Sequence, residues 1–247
     1  MISIGKDKKW SIVNSDVFGD IFSAAGVSFD ERGYIKLSKR PTSLYSSADS
    51  ASFGLLLSVV YYNINSLYYL VTSAGILTIN STFDVSVIGG SPFPTASIYN
   101  DAIAFNNKMY VVSDTSVYTL STSTWADLSI SLTAGVPKCL EVLPSGPYWA
   151  LGHANTIRLY DTSNSLVRTL TIPADYQITS LKYRQNNLYV ATKHLHGGEA
   201  QIFIWSGTST AYQASYGVRA NKIYSLADYG QSVVAATSAG QFLYVIS

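Results

Sequence analysis

Two stretches decide how this chain is read: Tyr68-Tyr-Leu-Val-Thr-Ser-Ala-Gly75 and Val233-Val-Ala-Ala-Thr-Ser-Ala-Gly240. Each is an apolar run closed by Thr-Ser-Ala-Gly, and each is followed by a second apolar run, at 76–80 and 242–247. Three relatives of this unit lie between them. Met109-Tyr-Val-Val-Ser-Asp114 leads into 117–121, Tyr148-Trp-Ala-Leu-Gly-His153 into 157–161, and Leu188-Tyr-Val-Ala-Thr-Lys193 into 202–206. The small or hydroxylated residue ending the first run falls at Thr72, Ser113, Gly152, Thr192 and Thr237, at spacings of 41, 39, 40 and 45 residues. A period near forty with several strands per unit is the pattern of a propeller blade.

The surrounding sequence fills out the unit. A turn rich in Asn, Ser or Gly precedes each hairpin, at 63–66, 106–107, 145–146, 186–187 and 230. A further apolar strand comes before each turn, such as 102–105 or 179–183, and is the expected innermost strand. A fourth follows each hairpin, for example 86–94, 129–132 or 168–172. The runs 67–72, 109–113 and 188–192 are apolar throughout, which marks strands covered on both faces. The predicted fold is therefore all-β: a five-bladed β-propeller of four-stranded blades. An irregular β-sandwich is the alternative. Because the fifth unit ends on its third strand, residues 34–38, which read like the fourth-strand segments elsewhere, are expected to pair with the C-terminal blade and close the ring. Closure would remove the open sheet edges that invite aggregation. The domain reading is a non-repeating arm at 1–33, with a short helix near 16–25 capped by Ser15 or Asp16 and ended by Gly26, then the propeller at 34–247.

Composition agrees. Among 247 residues there are 19 Tyr and 35 Ser but three Glu, so strand formers outnumber strong helix formers. A formal net charge of +1 gives no electrostatic footprint for nucleic acid or an anionic membrane. One cysteine, Cys139, rules out an internal disulfide framework and reads as a small buried hydrophobe. With 47% hydrophobic residues and a mean hydropathy of +0.17, the chain is expected to fold rather than stay disordered. The apolar run 54–62 is about half of what a bilayer crossing needs. The N-terminal residues lack the apolar core of a secretory signal, so neither a signal peptide nor a membrane anchor is expected.

The candidate chemistry is sparse. His153, His194 and His196 fall in turns expected to share one face, with Glu199 nearby, and this set could ligate a metal. A Gly-containing surface loop with solvated imidazoles is the favoured reading, so no metal or cofactor is assigned. The inner strands offer three acids, Asp101, Glu141 and Asp228. Five-bladed propellers resemble certain glycoside hydrolase families that place three acids around the channel, and the resemblance would imply paired carboxylate chemistry. The first inner strand carries no acid, which departs from that pattern. No phosphate loop, dinucleotide fingerprint or serine nucleophile elbow occurs. The expectation is a protein that is not an enzyme and has no catalytic residue. Trp149 and Trp205 are expected in the core, whereas Trp125, in a Ser/Thr-rich turn, is the candidate exposed platform for a sugar.

The arm carries an apolar set, Trp10, Val17, Phe18, Ile21 and Phe22, which is the candidate partner-binding surface. The stretches Trp10-Ser-Ile-Val-Asn14, Gly19-Asp-Ile-Phe22 and Ser28-Phe-Asp-Glu-Arg-Gly-Tyr-Ile-Lys-Leu-Ser-Lys-Arg40 resemble the opening of virion proteins from tailed bacteriophages. That resemblance implies a head, tail or decoration component. Its location would be the virion, after assembly in the host cytoplasm, and its partners other virion proteins in a symmetric assembly. The alternative is a carbohydrate-binding propeller that reads a host-surface glycan.

Overall fold

The computed structural model describes residues 56–73, 75–80, 85–87, 101–121, 124–229, 232–240 and 242–246, and short strands at 2–3, 9–10, 27–29 and 35–37. The architecture is an all-β propeller of antiparallel sheets, each built from strands consecutive in the chain. Blade one is Leu56–Tyr62, Leu67–Thr72, Ile76–Ile79 and Val85–Val87. Blade two is Asp101–Phe105, Lys108–Val112, Val117–Ser121 and Thr124–Asp127. Blade three is Lys138–Leu143, Tyr148–His153, Thr156–Tyr160 and Leu166–Thr171, and blade four is Tyr176–Arg184, Asn187–His194, Ala200–Trp205 and Ala214–Val218. A fifth sheet has three strands, Ile223–Tyr229, Ser232–Thr237 and Phe242–Ile246.

Among the described residues, four of the five sheets are complete four-stranded blades and the fifth has three strands, where five complete blades were expected. The expected pairing of residues 34–38 with the C-terminal blade does not occur among the described residues. Ile35–Leu37 pairs with Val27–Phe29 in a separate two-stranded ladder, and Phe242–Ile246 pairs with Ser232–Thr237 alone. The fourth strand of blade two is Thr124–Asp127, held against Tyr118–Ser121, instead of 129–132. The expected helix near 16–25 lies outside the described residues.

The repeating hydroxyl has a physical cause. Thr72 Oγ1 donates to Gly75 O (2.9 Å) and accepts from Gly75 N–H (3.0 Å), pinning the turn between second and third strands. Ser113 does the same with Ser116, and Thr192 with Gln201. All three side chains are buried, so each bond satisfies polar atoms that water cannot reach. In blade three the position is Gly152, because a Cβ there would meet Cys139 Sγ at 2.7 Å and Ile178 Cγ2 at 2.9 Å. The turns between first and second strands use left-handed residues instead. Asn106 and Asn107 have φ of 48° and 56°, and Gln185 and Asn186 have 46° and 62°. This is the backbone that a two-residue hairpin turn requires.

Between successive sheets lie four hydrophobic cores. Alternate residues of a middle strand serve the two neighbouring cores, because side chains along a strand point to opposite faces. In blade two, Met109 and Val111 face blade one while Tyr110 and Val112 face blade three. In blade four, Leu188 and Val190 face blade three while Tyr189 and Ala191 face the fifth sheet. Trp149, stacked on Tyr160 at 4.4 Å between ring centroids, fills the core between blades two and three. Trp205 fills the next one, its indole N–H donating to Ser209 O. Both tryptophans are core residues, as expected.

Candidate functional site: the channel between inner strands

The first strands of the five propeller sheets face a common centre. One cavity of about 440 Å³ is lined by residues from all five inner strands, among them Leu57, Asp101, Cys139, Ser180 and Ser225. Hydrogen bonds between neighbouring inner strands hold this wall together. Asp101 accepts from the backbone N–H of Leu140 (2.9 Å) across the junction of blades two and three, and from Ala102 N–H (2.8 Å). Thr179 Oγ1 donates to Ile223 O (2.6 Å), and Ser180 Oγ accepts from Leu226 N–H (3.2 Å), tying blade four to the fifth sheet.

Of the three inner-strand acids, Asp101 lines this cavity, while Glu141 and Asp228 lie further along their inner strands, and the three play different roles. Burial pushes the Asp101 carboxyl up from its ordinary value, against the backbone N–H groups of Leu140 and Ala102 and the Ser58 hydroxyl. Glu141 is pushed up to about 7, mainly by burial. The Lys182 charge and the Tyr183 backbone bond oppose that rise, and the charges of Asp101 and Asp228 add to it. Asp228 takes part in an ion-pair chain. Lys182 Nζ lies 3.7 Å from Glu141 Oε1 and 3.2 Å from Asp228 Oδ2, and Arg184 Nη1 lies 3.3 Å from Asp228 Oδ1. The structure therefore brings Glu141 and Asp228 together through Lys182, and commits Asp101 to the backbone.

Lys182 and Arg184 were missed at the level of sequence. The signal was their spacing of two on an inner strand, which puts both side chains on one face. A second ion pair also escaped notice. Lys138, whose side chain is fully buried, reaches 2.7 Å from Asp114 of blade two, and Asp114 also accepts from Gly135 N–H (2.9 Å). Breaking such a buried pair leaves an uncompensated charge, so its place is structural.

The histidines are engaged locally. Thr133 N–H donates to His153 Nε2 (3.0 Å), and burial, with the charges of Lys138 and Arg158, holds this imidazole below its usual value. His194 Nδ1 accepts from the N–H groups of His196 and Gly198, both at 3.1 Å, folding the loop back on its own ring. His196 Nε2 lies 3.6 Å from Asp175, with both side chains exposed. Among the described residues, no group of three His, Cys, Asp or Glu side chains could hold a metal ion. Cys139 is buried, with its thiol pushed well up by burial.

Trp125 lies on the outer strand Thr124–Asp127 instead of in a turn. It is half-buried and packs, with Leu67, against the core between blades one and two. Of the arm residues, Trp10 ends the short strand Lys9–Trp10, paired with Ile2–Ser3; Val17, Phe18, Ile21 and Phe22 lie outside the described residues. Among the described residues no helix is long and apolar enough to cross a membrane.

No family model matches the chain, and no curated protein matches it by sequence. Its fold does resemble solved structures. The extracellular domain of the putative hybrid two component system BT4673 from B. thetaiotaomicron aligns with a TM-score of 0.62 at 13% identity, over 83% of this chain and 28% of that one. BamB from Moraxella catarrhalis aligns at 0.54 and 14% identity, over 78% and 59% respectively. The Mitotic Checkpoint Complex supplies a chain at 0.58 and 13% identity, over 76% and 61%. This chain thus spans less than a third of the BT4673 domain and under two thirds of the other two. At such identities the likeness is one of fold, and it supports the β-propeller architecture.

Proposed function

We propose that this chain is a non-enzymatic interaction module that works by protein–protein contact, as a head, tail or decoration component of a tailed-bacteriophage virion. The observation that carries the contact reading is the far face of blade one. Val59, Tyr61 and Tyr68 are 53%, 49% and 49% exposed there, and the two tyrosine rings sit 5.0 Å apart. A contiguous aromatic and aliphatic patch on a rigid sheet is a contact surface with little ordering entropy left to lose. The virion assignment rests on the resemblance of residues 10–40 to phage proteins.

The ion pairs among the inner strands favour the non-enzymatic reading. Glu141 and Asp228 are both paired to Lys182, and Asp101 accepts the backbone N–H groups of Leu140 and Ala102, so all three acids are already engaged within the protein. Carbohydrate binding through Trp125 is the less favoured reading, because its half-buried ring packs against a core. The test is co-sedimentation with phage particles. A Tyr61→Ser/Tyr68→Ser variant with an unchanged circular dichroism spectrum is expected to lose incorporation. Full incorporation of that variant would remove the contact surface from the account.

A further inference from the structure

We propose that the channel cavity is a binding site for a small hydroxylated carboxylate of the hexuronate type. The site stands on four observations. First, the cavity of about 440 Å³ falls within the size range of small-molecule sites, about 300–1,000 Å³. Its wall mixes apolar surface from Leu57, Pro137 and Tyr224 with hydroxyls of Thr179, Ser180 and Ser225.

Second, the cations around it are unequal. The Lys138 ammonium is consumed by Asp114, whereas Lys222, also on the wall, makes no ion pair among the described residues. Its Nζ instead sits 4.6 Å from the centroid of the Tyr224 ring. That contact places a cation beside an aromatic face, and the pair presents a charge for a carboxylate next to a surface for the C–H face of a sugar ring.

Third, Ser180 Oγ accepts from Leu226 N–H and so keeps its own proton to donate. Fourth, Asp101 lies on the same wall; it accepts one backbone N–H on each oxygen and the Ser58 hydroxyl, and a carboxylate that can accept about four hydrogen bonds keeps one position for a ligand hydroxyl. An anionic head for Lys222 and hydroxyls for Ser180 and Asp101 describe a sugar acid better than a bare anion. A neutral sugar would leave Lys222 without a counter-charge, and a simple carboxylate would leave the hydroxyl partners unmet.

Isothermal titration calorimetry of the full chain with sodium glucuronate, glucose and acetate tests this. Glucuronate is expected to bind saturably with a dissociation constant below about 1 mM, and glucose and acetate at least about tenfold more weakly. Lys222→Ala is expected to cut glucuronate affinity at least about tenfold without lowering the melting temperature, and Lys222→Arg to retain most of it. Absence of saturable glucuronate binding would overturn the site. Equal binding of glucose would overturn the role of Lys222, and equal binding of acetate that of the hydroxyl partners. The outcome is independent of particle incorporation, which reads a different face of the molecule.

Discussion

The middle strand of blade two and that of blade one have nearly the same composition and opposite fates. Met109, Tyr110, Val111 and Val112 are all buried, because a sheet packs on each side of them. In blade one, Tyr69 and Val71 are buried against blade two, yet Tyr68 is half-exposed and Leu70 only half-buried. The fifth sheet mirrors this: Val233 and Ala235 sit in the core with blade four, while Val234 and Ala236 on the other face stay half-buried. Apolar sequence on both faces of a strand states what the strand is suited to. The number of neighbouring sheets decides what is buried. Apolar strand faces left in the open are natural places for partners, which is why blade one carries the functional proposal.

That contrast can be broken in three ways. The largest effect is expected for Trp205→Ala, which empties the core between blades three and four and removes the indole bond to Ser209. It should cost about 3–5 kcal/mol in urea unfolding. A loss below about 1 kcal/mol would mean that the interior blades are far less tightly packed than their burial implies.

The second effect concerns charge at the centre. The Glu141 carboxyl titrates at about 7 in the fold against an ordinary 4.5, so between those values the native state holds more protons than the unfolded chain. Stability is therefore fullest at the acidic end of that window and falls as pH rises through it, by at most about 3 kcal/mol. Urea midpoints should drop between pH about 5 and about 8 in the wild type, and Glu141→Gln should reduce that drop, leaving the opposed contributions of the raised Asp101 and the lowered His153. A midpoint that rises with pH in the wild type would show that Lys182 dominates over burial.

The smallest effect is expected at Tyr68→Ala. Half of the Tyr68 surface is in water and Tyr61 is its aromatic neighbour among the described residues, so this substitution should cost under about 1 kcal/mol in the same unfolding experiment. A cost comparable to that of Trp205→Ala would show that the far face of blade one is covered in solution, and would erase the difference between the end sheets and the interior blades.

Much of this architecture was legible because the repeating features are local. Thr72, Ser113 and Thr192 recur since each hairpin must satisfy its own buried turn, and the Asn-rich turns recur since a tight hairpin needs left-handed backbone. The outermost strands were harder to read. Thr124–Asp127 is short, largely solvated and polar, so nothing in its pattern distinguished it from the loop at 129–132 until its bonds to Tyr118–Ser121 were seen. The placement of Trp125 on a strand was hidden for the same reason, since a tryptophan among serines and threonines reads as part of a turn when the strand beneath it is not recognised. Of the channel, the acids were visible as inner-strand residues, but their partners were not. Lys182 lies 41 residues from Glu141 and 46 from Asp228, and only the stacking of inner strands brings them within reach.

By itself, then, the chain's sequence determined the strands, their hairpins and the forty-residue rhythm, because hydrogen bonding within a hairpin and side-chain alternation depend on neighbours in the chain. Tertiary structure alone decided which faces are covered, which cation at the channel makes no ion pair among the described residues and how far Glu141 departs from an ordinary carboxylate. Burial and Coulomb interactions depend on distance through space, and residues forty or more positions apart acquire those distances only when the sheets pack around a common centre.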